Sequence, residues 1–515
     1  MTRTQPIRKT AQLARWGIAI VGLLVICAVL AAWMASGNLS RIARDRAISA
    51  VKENFASDLD FQNLDVSVFP RVVITGDMVV LHYKGRTDLP PLISMRRFTA
   101  EANLMGILRE PAHISRVTLE GLQINVPPRG EAGGDEKGSG KETPNFVIGE
   151  IVADGTVLRT LPRDAVKEPL EYEIRRLRLH GAGSKGELTF HATLHNAKPP
   201  GDIQSTGKFG PWAKDEPGDT PVSGDYTFRN ADLSVFHGIS GMLSSDGNYH
   251  GVLQNIEVEG HTDTPDFTVK VSGNPVHLTT QFKAVVDGTD GDTLLQPVNG
   301  QFGRSSLTAQ GGIEGTKGVK GKTVTLDVIV HDGRLEDMLL LGVKGKKPTM
   351  TGAIRFRTKL VIPPGDIEIP QKLKLDGGFE ISAAHFSQLN VQEKVNKLSH
   401  AGKGEPEEPE TNTVASDFRG NFALDGGIMT FRKLSFRVPG VGISLNGKYG
   451  LLDQQLDFHG TARLEAKLSD MTTGFKSFLL KAVDPLFKKK NAGAELPIKI
   501  TGTRDDPSFG LDLRP

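Results

Sequence analysis

The chain has 515 residues and a formal net charge of +2, and its lysines and arginines are spread along the sequence rather than clustered. This balance gives no strong attraction to nucleic acid or to acidic partners, so a nucleic-acid-binding function is disfavoured. The single cysteine, Cys27, leaves the rest of the chain without disulfides or thiolate metal sites. Glycine is abundant, at 58 residues, but without the period of collagen.

An apolar segment near the N-terminus is long enough to cross a membrane. Residues 16–36 begin with WGIAIVGLLVICAVLAAWMA, and the uncharged run continues to Ser40. Twenty helical residues cover about 30 Å, the thickness of the hydrocarbon core of a bilayer. Trp16 and Trp33 lie near the two ends, where indole rings favour the headgroup layer. We therefore predict a transmembrane anchor that follows a short tail, residues 1–15.

A cleavable signal peptide is the alternative interpretation of this segment, because basic residues precede the apolar run. The run exceeds a usual signal core, and Trp33 and Met34 interrupt the alanines where a cleavage site would lie, so we favour the anchor. Positive charge is nearly balanced on the two sides, so charge alone does not orient the segment. From Leu39 to Phe55, apolar residues recur at three- and four-residue steps, which predicts a helix.

Beyond residue 60 the period changes to two. Apolar and polar residues alternate almost everywhere, and glycine punctuates the pattern. Such alternation is typical of antiparallel strands with one wet face, so we predict a mainly β protein built from many short strands. At Gly121 the apolar residues change parity, which predicts a bulge or a tight turn that re-aims the apolar face.

Two polar segments interrupt the alternating pattern. Residues 128–144 and 400–413 hold no apolar residue apart from isolated alanines, so both are predicted to be flexible, exposed loops. They divide the chain after the anchor into three β-rich parts, residues 37–127, 145–399 and 414–515.

An amphipathic helix is predicted at residues 468–490, where phenylalanines and leucines alternate with a lysine-rich side and Pro485 limits or kinks the helix. Two interpretations stay open. The helix lies at a membrane surface or over the mouth of an apolar groove, or it packs on the end of the sheet.

Several short motifs suggest ligand sites but lack the surroundings that those sites need. The segment Gly181 to Gly186 spells G-x-G-x-x-G, but a strand pattern follows where a dinucleotide site requires a helix, so a hairpin turn is the better interpretation. The aspartates between Asp287 and Asp292 lack the spacing of a calcium loop. On a strand, His191 and His195 would lie about 13 Å apart, too far to share a metal. Catalysis is disfavoured, and no cofactor or metal is predicted.

Several segments together carry a resemblance to a known family. They are the N-terminal anchor with its helix, VSVFP from Val66, LEGLQINV from Leu119, NADLSVF from Asn230, and LPIKITGT from Leu496 with DPSF from Asp506. In these features the chain resembles the AsmA-like family of Gram-negative envelope proteins. The likeness is spread over nearly the whole chain and consists of strand-and-turn patterns, and it brings no catalytic motif.

The resemblance implies a single-pass anchor in the inner membrane, with the N-terminus cytoplasmic and the bulk of the chain in the periplasm. It also implies a long, twisted, curled antiparallel β-sheet whose concave face is an apolar, taco-like groove. Related members are implicated in moving phospholipids between the two membranes and in maintaining the outer membrane. The expected partners are therefore the inner membrane, phospholipid acyl chains, and outer-membrane or periplasmic proteins.

Nine residues at alternating positions are the candidate lining of such a groove: Phe190, Leu194, Tyr226, Phe228, Phe282, Phe356, Phe379, Phe422 and Phe458. An ordinary sheet core is the alternative role for each of them. Lipid tails cost about 0.8 kcal/mol per CH₂ exposed to water, so a trough with one open side would keep them dry while the headgroup stays wet. The second hypothesis is a scaffold or assembly factor for outer-membrane proteins that carries no lipid.

Overall fold

A computed structural model describes residues 59–60, 62–67, 71–82, 90–103, 106, 112–126, 146–161, 169–182, 187–211, 213, 217–403, 414–465, 494–504 and 506–512. The predicted anchor with Trp16 and Trp33, the helix after it, the loop at 128–144 and the amphipathic helix at 468–490 lie outside these residues. Within the described ranges, no helix combines the length and the apolar character needed to cross a membrane.

Twenty-seven strands make up most of the described chain. The first thirteen are β1 (Leu59–Asp60), β2 (Asn63–Ser67), β3 (Val72–Leu81), β4 (Ile93–Ala102), β5 (Ala112–Glu120), β6 (Gln123–Val126), β7 (Phe146–Val152), β8 (Thr156–Thr160), β9 (Leu170–Ala182), β10 (Leu188–Ala197), β11 (Pro200–Phe209), β12 (Pro221–Asp232) and β13 (Ile239–Ser240). The others are β14 (Met242–Val252), β15 (Asn255–Val269), β16 (Pro275–Val286), β17 (Thr293–Phe302), β18 (Ser305–Gly315), β19 (Lys322–Arg334), β20 (Met350–Ile362), β21 (Lys374–Phe386), β22 (Ser416–Asp425), β23 (Ile428–Val438), β24 (Val441–Gly450), β25 (Gln455–Leu464), β26 (Ala494–Thr503) and β27 (Pro507–Leu511).

The helices of the described chain lie in connections between strands. They are α1 (Leu335–Gly342), α2 (Ile369–Lys372) and α3 (Leu389–Lys403), with short 3₁₀ turns at Pro217–Asp219 and Leu233–Val235. Besides its outermost strands, the sheet has two borders, each formed by a row of strand ends. The helices α1 and α3 lie at one of these borders, and α2 lies at the other. We call these the α1 edge and the α2 edge.

The helix α3 corrects one prediction. The loop predicted at 400–413 is wrong for residues 400–403, which form the last turn of α3. The physical reason is close packing, since Gly402 lets the helix approach the strand that begins at Val441. A Cβ at Gly402 would lie within 2.5 Å of the carbonyl oxygen of Gly440. The remaining part of the predicted loop, 404–413, lies outside the described residues.

All of the described strands belong to one large curved sheet. From β9 onward each strand pairs antiparallel with the next, and the two-residue β13 continues the line of β14. This confirms the mainly β prediction. Short connections favour antiparallel neighbours, which is why the alternating segments fold as a meander.

The prediction of a purely antiparallel sheet is wrong near its start. Strand β5 pairs parallel with β7, and β6 pairs parallel with β8. Parallel neighbours need a long crossover connection, and residues 127–145, between β6 and β7, supply the length. The sheet is therefore mixed.

The parity change predicted at Gly121 is confirmed. Gly121 has a φ of +64° and separates β5 from β6. The left-handed region costs glycine little because it has no Cβ. Leu119 and Leu122, on either side of this kink, are both buried, so one side of the sheet stays apolar through both strands.

Strand register sorts the residues of β10 to β25 into two faces. One face, which we call the apolar face, includes lines of directly paired residues such as Leu326, Leu360 and Leu375. The other, the charged face, carries ion pairs between neighbouring strands, for example Lys283 with Glu259 at 2.5 Å. This division is what the period-two alternation predicts.

The sheet is wound so that strand ends on the α2 edge touch strand ends on the α1 edge that belong to strands several places away in the ladder. Gly291, in the connection from β16 to β17, lies at the α2 edge, whereas Leu170, at the start of β9, lies at the α1 edge. A Cβ at Gly291 would lie 3.2 Å from Leu170 Cδ1. A second contact joins the backbone N–H of Ile369, in α2, to the carbonyl oxygen of His237 at 3.3 Å. Each contact links loops several strands apart along the ladder.

Packing is dense at both ends of the ladder. Near the start, Ile74, Phe98, Ile114 and Ile148 are almost fully buried. Near the end, Val395 of α3 packs in a cluster with four residues of the sheet: Val438, Val441, Leu464 and Leu496. Between these ends most large residues of the apolar face are only half-buried.

Candidate functional site

All nine predicted lining residues lie on the apolar face. Register lines join Leu194 to Phe228 through Ile203, and Phe356 pairs directly with Phe379. Seven of the nine are half-buried, whereas two are buried: Phe422 at 5% and Phe458 at 7% exposure. Their contact with lipid stays a prediction.

The apolar face is covered at some places and accessible at others in the described part of the chain, since Phe356 and Phe379 pack against a buried cluster that includes Leu335 of α1. All of the strands there belong to one sheet, and side chains such as Phe190, Phe282 and Phe356 keep part of their surface accessible. The inner faces of a two-sheet sandwich interdigitate, which closes off side chains of this kind. Here the face is left able to contact another apolar molecule.

The phenylalanines between β20 and β25 form a connected aromatic cluster. Phe356 stacks on Phe422 with ring centroids 5.7 Å apart and an interplanar angle of 13°. These two residues come from strands that are not neighbours, and the strand between them places Gly377 next to Phe422. The cluster continues from Phe431 to Phe458 at 5.6 Å. Glycine on the middle strand leaves the space in which the rings meet.

Aromatic rings lie over glycines at other places on the same face. A Cβ at Gly201 would lie 2.7 Å from Phe228, and a Cβ at Gly420 would lie 2.8 Å from Phe379. A ring that covers a neighbouring glycine lies along the sheet instead of projecting above it. Sequence reasoning missed these pairs. The available signal was glycine at the same parity as the large apolar residues.

A band of hydroxyl groups crosses the apolar face from β11 to β16. We call it the hydroxyl belt, and its members are Ser205, Tyr226, Ser245, Tyr249, Thr262 and Thr280. The Tyr249 hydroxyl lies 2.7 Å from Ser205 Oγ, and the Tyr226 hydroxyl lies 3.0 Å from Ser245 Oγ. The two threonine Oγ1 atoms lie 2.7 Å apart. Of these residues, only Tyr226 was predicted.

The apolar face is uncharged between its dense ends. In the register of β10 to β25, its positions hold no charged side chain other than Lys322, at the α2 edge. Burial raises the pKa of the Tyr226 and Tyr249 phenols, although their serine partners oppose the shift. Burial also raises the pKa of Tyr172. These phenols are therefore neutral at physiological pH.

A depression of about 570 Å³ lies across β19 to β22, and most of its side chains come from the charged face. Arg355, Arg357, Asp376, Glu380 and Arg419 are among its lining residues. Opposite charges are paired there, since Arg419 donates to Glu380 and thereby holds the pKa of that carboxyl below its usual value. Two residues of the predicted groove lining, Phe356 and Phe379, also line this depression.

The motifs set aside in the sequence have structural roles. Strands β9 and β10 flank residues 183–187 and pair antiparallel, which confirms the hairpin at Gly181 to Gly186. In the acidic turn, Asp287 accepts a hydrogen bond from the Thr289 backbone N–H at 2.8 Å. Lys322 Nζ lies 2.7 Å from an Asp292 oxygen. The turn is therefore held by its own side chains and by Lys322, the first residue of β19.

Comparisons of the chain with models of protein families, with curated proteins and with solved structures found no match.

Proposed function

We propose that the apolar face binds the acyl chains of phospholipids, and that the protein transfers them between the two membranes of a Gram-negative envelope. In this proposal the chain is held by its N-terminus in the inner membrane and extends into the periplasm. The observation that carries it is the combination of an apolar face without charged side chains and large apolar residues from β10 to β21 that are only partly buried. The resemblance to AsmA-like proteins supports the cellular setting.

The energetics favour an acyl chain as the ligand. A sixteen-carbon tail gains on the order of 12 kcal/mol when it leaves water, at about 0.8 kcal/mol per CH₂. A phosphate group gains nothing on this face, because an uncompensated charge in an apolar site loses its hydration. The tails would therefore lie along the face while the headgroup stays in water. Such binding requires no specific pocket and lets a lipid slide.

The length of the sheet limits how far one chain reaches. With ~4.8 Å between neighbouring strands, the ladder from β1 to β27 is on the order of 100 Å long, and winding shortens its span. The protein therefore hands lipid to another periplasmic or outer-membrane protein rather than crossing the periplasm alone. The direction of transfer is set by a lipid gradient or by that partner.

Native mass spectrometry of the full chain, released from membranes in a mild detergent, tests this proposal. We expect phospholipid to co-purify with the wild-type protein. Ala309 lies on the apolar face, so Ala309→Trp fills space above the sheet and should remove most of the bound lipid. Gln310 is exposed on the charged face of the same strand, so Gln310→Trp is the matched control and should retain lipid.

Two results would contradict the proposal. Wild-type protein free of lipid would favour the scaffold for outer-membrane proteins. Equal retention in the Ala309→Trp and Gln310→Trp variants would place the lipid elsewhere on the protein, such as at the charged face.

A further inference from the structure

The hydroxyl belt has a defined direction of hydrogen bonding. Ser205 Oγ lies 2.9 Å from the Asp225 carbonyl oxygen, which only accepts, so Ser205 donates its one hydrogen there. The contact between Ser205 and Tyr249 must then run the other way, with the phenol as donor. Ser205 therefore gives no hydrogen bond to the Tyr249 oxygen, and the lone pairs of this oxygen are left without a donor in the contact.

The second tyrosine repeats this arrangement. Ser245 Oγ donates to the His261 carbonyl oxygen at 2.9 Å, so Tyr226 donates to Ser245. Both serines are buried, at 7% and 5% exposure, whereas both tyrosines are half-buried. Each phenol oxygen therefore lies beside a buried serine Oγ on the apolar face, as an acceptor whose own hydrogen is already used.

Glycines hold these oxygens close to the sheet. A Cβ at Gly224 would lie 3.0 Å from the Tyr249 oxygen, and a Cβ at Gly260 would lie 2.7 Å from the Tyr226 oxygen. Any side chain at either position would lift the phenol from its serine. The acceptors are consequently fixed in place by the backbone of β12 and β15.

We propose that the hydroxyl belt binds an alcohol group carried on a long alkyl chain, as in a diacylglycerol or a hydroxylated acyl chain. An anion is disfavoured because the belt offers it acceptor oxygens and no charged donor. An ammonium group is disfavoured because the apolar face provides no counter-charge for it. An uncharged hydroxyl supplies the hydrogen that each phenol oxygen lacks, and its alkyl chain continues along the apolar residues on either side. This inference rests on the proposed function of the same face.

A matched pair of ligands tests the belt. We would measure how 1-dodecanol and its methyl ether displace a pyrene-labelled acyl chain from the full-length protein. The two compounds share their alkyl chain, but only the alcohol can donate a hydrogen bond. We expect wild-type protein to bind the alcohol about five-fold more tightly, the effect of one net neutral hydrogen bond.

Substitutions then locate the preference. The double variant Tyr226→Phe with Tyr249→Phe should bind both compounds equally, because it lacks both acceptor oxygens. Tyr449→Phe is the control, since Tyr449 lies on the same face outside the belt and should keep the wild-type preference. The double variant Ser205→Ala with Ser245→Ala frees the phenol hydrogens, so its affinity for the ether should rise.

The outcomes separate this inference from the proposed function. If neither compound displaces the probe, or if the probe itself does not bind, the proposed acyl-binding face is wrong. If both displace it equally from wild-type protein, acyl binding stands and the alcohol site is overturned. A five-fold preference that survives in the double tyrosine variant would also overturn it. Circular dichroism of each variant shows that it is folded, and the serine variant supplies an opposite change that unfolding cannot produce.

Discussion

At the scale of single residues, glycine determines the shape of the apolar face. Gly420 lies under Phe379, and Gly224 and Gly260 lie under the two tyrosine oxygens of the hydroxyl belt. A β-branched residue at these positions would push each ring away from the sheet. Some of the 58 glycines are therefore needed for the surface of the face, in addition to those that permit turns.

Gly420→Ala tests this role of glycine. The new Cβ would lie 2.8 Å from Phe379 Cε1 and 3.3 Å from Leu434, so we expect the free energy of unfolding to fall by about 1–3 kcal/mol through overpacking. Gly442→Ala is the control, because no atom lies within 4 Å of the added Cβ. Denaturant unfolding followed by circular dichroism measures both variants. Equal stability of the two would contradict the account.

Glu336, at the start of α1, is a residue whose titration should affect stability. It accepts hydrogen bonds from Arg334 at 3.0 Å and from the Gly352 backbone N–H at 3.2 Å. Burial alone would raise the pKa of this carboxyl, but the backbone hydrogen bonds and Arg334 together hold it below 4.5. A lowered pKa stabilises the folded state at pH values above 4.5, and this contribution is lost as the pH falls through the folded-state pKa.

Glu336→Gln should therefore lower the free energy of unfolding by about 1–3 kcal/mol at pH 7, because it removes charge-assisted hydrogen bonds. The difference from wild type should shrink as the pH falls below 4.5, where the wild-type carboxyl gains its proton. Urea titrations of both proteins from pH 7 to pH 3.5 measure this. A difference that does not change with pH would show that the charge of Glu336 is not involved.

Sequence alone assigned single residues to the correct face but missed their partners. Alternation placed all nine predicted residues on one face, since side-chain direction follows directly from the period of a strand. The pairing of Tyr249 with Ser205 could not be predicted in this way. It joins residues from β14 and β11, and it depends on register and on the glycine of the strand between them.

At the scale of elements, contacts between the two edges hold the wound sheet. The connection that contains α2 reaches the opposite edge at His237 and Gly238. Gly238 has a φ of +118°, and a Cβ there would lie 3.0 Å from the Cβ of Ile369. Glycine at this position therefore permits both the backbone conformation and the close approach of α2.

Ile369→Asp should open this contact, because it places a carboxylate against a half-buried loop. We expect faster backbone hydrogen exchange in residues 236–241 and 363–373, measured by mass spectrometry. Ile367→Asp is the control, since Ile367 is already 58% exposed and should leave exchange unchanged. Identical exchange in the two variants would show that Ile369 does not hold the edges together.

Elements were predicted unevenly. The hairpins follow from alternation and glycine, but the parallel pairing of β5 with β7 does not, because a strand pattern carries no information about direction. The helix α1 was also missed. Its sequence LEDMLLLG is only eight residues long, and the helix is stabilised by tertiary contacts. Asn274 Nδ2 donates to the carbonyl oxygens of Leu340 and Gly345 at 3.1 and 2.9 Å.

At the scale of the described molecule, a single wound sheet connects two densely packed ends through a middle whose large apolar residues are mostly half-buried. Where the α2 edge meets the α1 edge, one turn of the wound sheet contains on the order of seven strands. This number is close to that of a small closed barrel, whose interior is filled by side chains alone. The size of the side chains therefore decides whether space remains for a ligand. Rings laid over glycines leave that space, and this links the glycine content to the proposed function.

The mainly β class followed from the sequence, but the state of the apolar face did not. Alternation gives a sheet with one apolar side, and it gives the same pattern whether that side is covered by a second sheet or left accessible. Whether Phe282 and Phe356 are covered depends on contacts between distant parts of the chain. This is why alternation alone does not separate a sheet core from a groove lining.

Photocrosslinking in living cells decides whether lipid lies on the apolar face. The photoreactive amino acid p-benzoylphenylalanine would replace Phe282 or Phe356, and in separate variants their charged-face neighbours Lys283 or Arg357. We expect phospholipid adducts, identified by mass spectrometry, at residues 282 and 356 and not at residues 283 and 357. Equal labelling of the two pairs, or none at either, would contradict lipid binding by the apolar face.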